Sequence, residues 1–99
     1  MIGRANRDIL NGYRQLSNAG ATTNLLGAKT RELIALAVAV TRQCDGCIAV
    51  HTDAAIKQGA TREEIVEALG VAVAVNAGAA LIFSSRVMDA FTASTDAAK

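Results

Sequence analysis

Two cysteines and the chain's single histidine fall within one short segment, as Cys44-x-x-Cys47-x-x-x-His51. On a helix turning ~100° per residue these positions lie within about 60° of one another, so the three side chains share one narrow face. His51 follows Cys47 by four residues, the spacing at which helical side chains touch. Cys44 falls where that helix should begin, and free amide protons and the positive end of the helix dipole favour a thiolate there. The arrangement suits reversible thiol–disulfide exchange: two thiols within reach of each other, one polarised by a helix end and one beside an imidazole.

Other chemistries compete for the same residues. Two Cys and one His are three metal ligands, and Glu32 is a candidate fourth. A structural zinc site more often gathers paired ligands from separate segments, and the sequence has no second Cys/His pair. Covalent haem attachment needs His directly after the second Cys, where Ile48 stands. Two buried cysteines beside an incidental His would be the bland alternative. Both Cys and the only His on one face is, however, an arrangement that chance rarely gives. We expect a catalytic thiol pair, no bound metal and no cofactor. Glu32 heads an apolar helix, so it reads either as a solvated first-turn residue or as a buried partner that orients His51. Asp45 is expected to cap the Cys helix. Glu63, Glu64, Glu67, Lys57 and Arg62 are expected to form a solvated face, and Tyr13, Phe83 and Phe91 to pack.

Helices must position these groups. The chain has 21 Ala, no Pro and only three aromatic residues, and Ala is the strongest intrinsic helix former. An all-α bundle of about five or six helices follows, in a single domain over residues 1–99. Ile9, Leu10, Tyr13 and Leu16 at helical spacing predict a first helix from about Ile2 to Ser17. The small polar run Ser17–Asn24 reads as a loop. A second helix starts near Gly27 to Thr30 and runs through Val40; apolar on almost every face after Glu32, it should be central and buried. Thr41-Arg42-Gln43 breaks it before a third helix, Cys44–Gln58, with Gly59 suited to a left-handed cap. Thr61-Arg62-Glu63-Glu64 is a capping box for a fourth helix. Gly70 and Gly78 in that helix suggest close approach of another helix. A last helix, about Leu81 to Thr92, precedes a polar, frayed tail.

Hydrophobic residues make up 52% of the chain. That is more apolar surface than so short a chain hides alone, so a homo-oligomer is expected. The net charge of +1 is scattered, with no basic stripe to suggest nucleic acid. Ala68–Ser85 is uncharged and touches the lower length limit of a membrane span. It is mostly Ala and Val and carries Gly70, Asn76, Gly78, Ser84 and Ser85, which reads as a core or interface helix rather than a spanning one. The first residues lack the apolar core of a signal peptide. A cytoplasmic location is expected, where a Cys pair is more often catalytic or metal-binding than a structural staple.

The run Arg31-Glu32-Leu33-Ile34-Ala35-Leu36-Ala37-Val38-Ala39-Val40, then Cys44-Asp45-Gly46-Cys47-Ile48-Ala49-Val50-His51, then Ala55, Gly59-Ala60-Thr61, Glu64-Ile65 and Glu67, resembles the alkylhydroperoxidase D-like core of the carboxymuconolactone decarboxylase family. The resemblance spans roughly Leu25 to Phe91. It implies an all-α fold whose short members form homo-oligomers, commonly trimers or hexamers. It also implies a peroxidase that reduces hydroperoxides through the Cys pair and is recharged by a dithiol donor. Cys47 matches the attacking cysteine and Cys44 the resolving one, while His51 and Glu32 match members of a proton relay. The decarboxylase branch typically lacks the Cys pair. Gly46 stands where alkylhydroperoxidase D proper has a second His, a departure that would weaken peroxide turnover or shift the pair towards other disulfide exchange. A decarboxylase-type lyase and a non-enzymatic redox- or metal-binding module are the competing functions.

Overall fold

The computed structural model describes residues 2–97, all of whose regular structure is helical. The helices are α1 (Ile2–Ala5), α2 (Arg7–Thr23), α3 (Ala28–Arg42), α4 (Asp45–Lys57), α5 (Arg62–Phe83) and α6 (Ser85–Ala97).

Helix ends follow local chemistry. Asn6 breaks the expected first helix into α1 and α2, its side chain accepting the Asp8 amide at 3.0 Å as an N-cap. The expected loop Ser17–Asn24 is instead the last part of α2, which continues to Thr23. The left-handed residues lie further on, at Asn24 (φ 49°) and Gly27 (φ 84°), and there the chain turns. Gly20 and the small polar residues weaken this helix without ending it. Gly20 is helical, and its missing Cβ makes room for Arg31, whose Cδ would lie 2.9 Å from one. Arg31 also donates to Asn24 Oδ1 at 2.7 Å, tying the end of α2 to the start of α3.

Further along, α3 runs on to Arg42, two residues past the expected break, before Gln43 adopts a left-handed cap (φ 53°). Gly59 takes the left-handed conformation (φ 86°) anticipated after the Cys helix. The capping box of α5 is complete: Thr61 Oγ1 accepts the Glu64 amide at 3.1 Å, and Glu64 Oε1 accepts the Thr61 amide at 2.9 Å. Ser84 separates α5 from α6, and α6 extends through most of the segment expected to fray. The last two residues of that segment lie outside the described ones.

The core lies where α3 meets α4 and α5. Leu36 and Ala39 of α3, Ala55 of α4 and Ala72 of α5 are its buried residues. Thr41 and Asn76 add a polar tie between α3 and α5 at 2.8 Å, and Lys29 bridges to Glu64 at 2.8 Å. The far face of α3 is open, with Ile34 and Val38 about half exposed. Gly70 and Gly78 face open space within one chain, and a Cβ at either meets nothing within 4 Å. The close helix approach expected there is therefore not made among the described residues.

The molecule is extended, 61 × 41 × 25 Å, with a radius of gyration of 19.4 Å. A compact domain of this length has about 13 Å. Long apolar faces stay uncovered on α5 and α6, including Val73, Leu81, Ile82, Val87 and Phe91. By length and composition alone, the α5 region is also apolar enough to cross a membrane.

Candidate active site

The two thiols stand at the start of α4. Cys44, not the expected Asp45, is the N-cap: its backbone is extended (φ −101°, ψ 99°) and its Sγ accepts the Cys47 amide at 3.3 Å. Asp45 is the first helical residue. Cys47 sits one turn in, which brings the two Cα atoms to 5.3 Å, and a disulfide joins the pair. That Cα separation is within the usual span of a bridge. It arises because an extended residue followed directly by a helical turn folds the first Cys back over the third position of the helix. Both cysteines are half-buried and line open clefts.

His51 follows Cys47 on the same face of α4. Its Nδ1 lies 2.6 Å from Glu32 Oε2, with both side chains about three-quarters covered. An ionised carboxylate can only accept, so Nδ1 carries the proton and donates it, which leaves Nε2 as the imidazole's acceptor. Nε2 has no hydrogen-bond partner among the described residues. Glu32 is thus an oriented partner of His51 rather than a solvated first-turn residue. It reaches His51 because α3 packs along α4.

Cys44, Cys47 and His51 line two clefts. One, of about 300 Å³, is completed by Ala35, Val38, Ala39 and Arg42 of α3. The other, of about 290 Å³, is completed by Gly46, Val50 and Tyr13 of α2. Tyr13 was expected to serve as a packing residue, yet it is largely exposed and borders the cysteines. No local spacing signals this, because the approach depends on the turn at Asn24, outside the helix itself. Arg42 had a weak signal in its position two residues before Cys44. Gly46 is open, since a Cβ there meets nothing within 4 Å. A side chain at this position would meet open space beside the second cleft.

Among the described residues, no cluster of three or more His, Cys, Asp or Glu side chains is arranged to hold a metal ion. Glu32, the candidate fourth ligand, is engaged by His51 instead.

The carboxymuconolactone decarboxylase family model matches residues 7–90, nearly the whole chain. The chain belongs to that family. Similar relatives within reach of it include a Haemophilus influenzae protein, 47% identical over 91 residues, covering 92% of this chain and 80% of its own length. A Paracoccus denitrificans protein encoded in the cox locus is 38% identical over 85 residues, covering 86% of this chain and 77% of its own. A Cupriavidus necator protein is 30% identical over 92 residues, covering 93% and 81%. All three are described as uncharacterized, so they establish kinship and leave the chemistry of this family member to its own residues.

Proposed function

We propose that this protein is a thiol-dependent peroxidase, an alkylhydroperoxidase D-like oxidoreductase in which Cys44 and Cys47 cycle between dithiol and disulfide. The observation that carries the reading is the pair itself: two bridged cysteines at a helix N-terminus, open to two clefts, beside an imidazole held by a carboxylate.

In the reduced state the amide protons at the head of α4 favour thiolates. Family correspondence and the adjacent His51 assign attack to Cys47. His51 Nε2 accepts the thiol proton, directly or through water, and Glu32 steadies the imidazolium that results. The thiolate attacks the terminal oxygen of the hydroperoxide, the O–O bond breaks, and the alcohol leaves with the proton His51 returns. Cys47 is then a sulfenic acid. Cys44 attacks its sulfur, water leaves, and the disulfide of the structure forms. A dithiol donor reduces it through a mixed disulfide and completes the cycle.

A homo-oligomer suits the uncovered surface. The chain exposes 7986 Å², against about 5,300 Å² expected of a folded monomer of its mass. The surplus, on the order of 2,700 Å² per chain, exceeds the roughly 1,000–2,500 Å² that each partner buries in an obligate interface and leaves room for more than one neighbour. We read α5 and α6 as faces covered by further copies, in a trimer or hexamer, and place the protein in the cytoplasm, where dithiol donors are kept reduced.

The decarboxylase-type lyase is the competing enzyme, since His51 and Glu32 alone could serve as a base pair. Substitution separates the two. We expect Cys47→Ser to abolish hydroperoxide turnover, and Cys44→Ser to retain attack while a sulfenic acid accumulates, measured as one added oxygen by mass. Full peroxide turnover in both variants sinks the peroxidase reading. Lyase activity that survives thiol alkylation supports the alternative.

A further inference from the structure

We propose that Arg42 is the specificity determinant of this site, selecting small organic hydroperoxides that carry a carboxylate. The inference rests on the redox reading of Cys47 and goes beyond it by naming the substrate class.

Arg42 closes the last turn of α3 and shares a cleft with Cys44, Cys47 and His51. The remaining lining is Ala35, Val38 and Ala39, so Arg42 is the one permanently charged side chain in an otherwise apolar wall. Its guanidinium has no ion pair or hydrogen bond among the described residues. The acidic group nearest the centre of the site, Glu32, is taken by His51. Asp45, although at the head of α4, does not line the cleft. An unpaired guanidinium presents a planar fork of donors matched to a carboxylate, which it holds through two parallel hydrogen bonds.

Size narrows the class. A cleft of about 300 Å³ is at the lower end for small-molecule sites, which suits a skeleton of a few carbons rather than a long acyl chain. The carboxylate docks on Arg42, the apolar skeleton lies against Val38 and Ala39, and the hydroperoxide is presented to Cys47. Contact made away from the reacting atoms then holds the terminal oxygen in line with the thiolate. The carboxylate is unchanged in the reaction. The O–O bond breaks and Cys47 gains oxygen; the alcohol leaves, and Cys44 expels water as the disulfide forms. The two electrons come from the dithiol donor.

The test compares a short tertiary hydroperoxide bearing a terminal carboxylate with its methyl ester, using dithiothreitol as reductant. The parent should prefer the carboxylate by roughly tenfold or more in kcat/KM, the scale of a lost charged hydrogen bond. Arg42→Gln should abolish that preference by lowering kcat/KM for the carboxylate alone, leaving the ester within about twofold. Arg42→Lys should keep part of the preference, retaining charge without the fork. An equal fall for both substrates would mean that Arg42 acts on the thiolate, and no change for either would mean that it acts on neither; each result overturns the proposal. Cys47→Ser, run in parallel, reads the underlying reaction separately: turnover that survives it overturns the redox reading itself.

Discussion

At the scale of residues, the proposed peroxidase rests on a short relay of Glu32, His51 and Cys47. The Nδ1–Glu32 contact of 2.6 Å fixes the tautomer and leaves Nε2 to handle protons. His51→Gln should therefore lower peroxide turnover by about 10²–10⁴, the usual contribution of a positioned general base. Glu32→Gln keeps the shape but no longer stabilises the imidazolium. We expect a smaller loss in kcat/KM than for His51→Gln, read by stopped-flow oxidation of the reduced protein. A kcat/KM for Glu32→Gln equal to the parent's would remove Glu32 from the relay. Cys44, Cys47 and His51 were legible in the sequence because a helix brings residues three and four apart together. Glu32 was legible only as a choice between two roles, since its contact with His51 crosses between helices. Tyr13, Phe83 and Phe91, all expected to pack, are each largely exposed within one chain, because nothing within a helix records which surface will cover it.

At the scale of elements, capping chemistry was the most readable feature. The Thr61–Glu64 box and the left-handed Gly59 follow from side chains acting on their own backbone. Thr61→Ala should cost about 1 kcal/mol of stability, measured by denaturant unfolding. The Lys29 ammonium, with help from the Thr61 amide, holds the Glu64 carboxyl below the ordinary glutamate range. A carboxyl with a lowered folded-state pKa contributes stability above its unfolded value, about 4.3, and loses it as the pH falls through the folded one. Glu64→Gln preserves the box while removing the charge. Its stability should therefore fall less than the parent's on acidification below pH ~4.3. Parallel acid limbs for the two proteins would show that the Lys29 contact contributes nothing, as many exposed pairs do. The Ser17–Asn24 error has a physical cause as well. Small polar residues and one Gly lower helix propensity without ending a helix, and the chain turns only where Asn24 and Gly27 adopt positive φ.

At the scale of the whole molecule, one chain buries little more than Leu36, Ala39, Ala55 and Ala72. The apolar excess was visible in composition, but which faces it occupies was not, because helices apolar all round carry no single inward stripe. The glycines of α5 suit the oligomer proposed above, since a Cβ at Gly70 or Gly78 meets nothing within 4 Å among the described residues. Sedimentation should give a multiple of the 10.2 kDa chain mass. Val73→Lys, on an exposed part of α5, should lower that mass by weakening the contact. A stable monomer, or a parent protein recovered only with membranes, would contradict the interface reading. Redox cycling itself is tested most directly by mass spectrometry of the fully reduced protein after one equivalent of organic hydroperoxide. The account predicts that each chain loses two hydrogens, that one alcohol forms per chain, and that a dithiol restores the starting mass. A protein that keeps both thiols while the hydroperoxide is consumed, or leaves the hydroperoxide untouched, would contradict it.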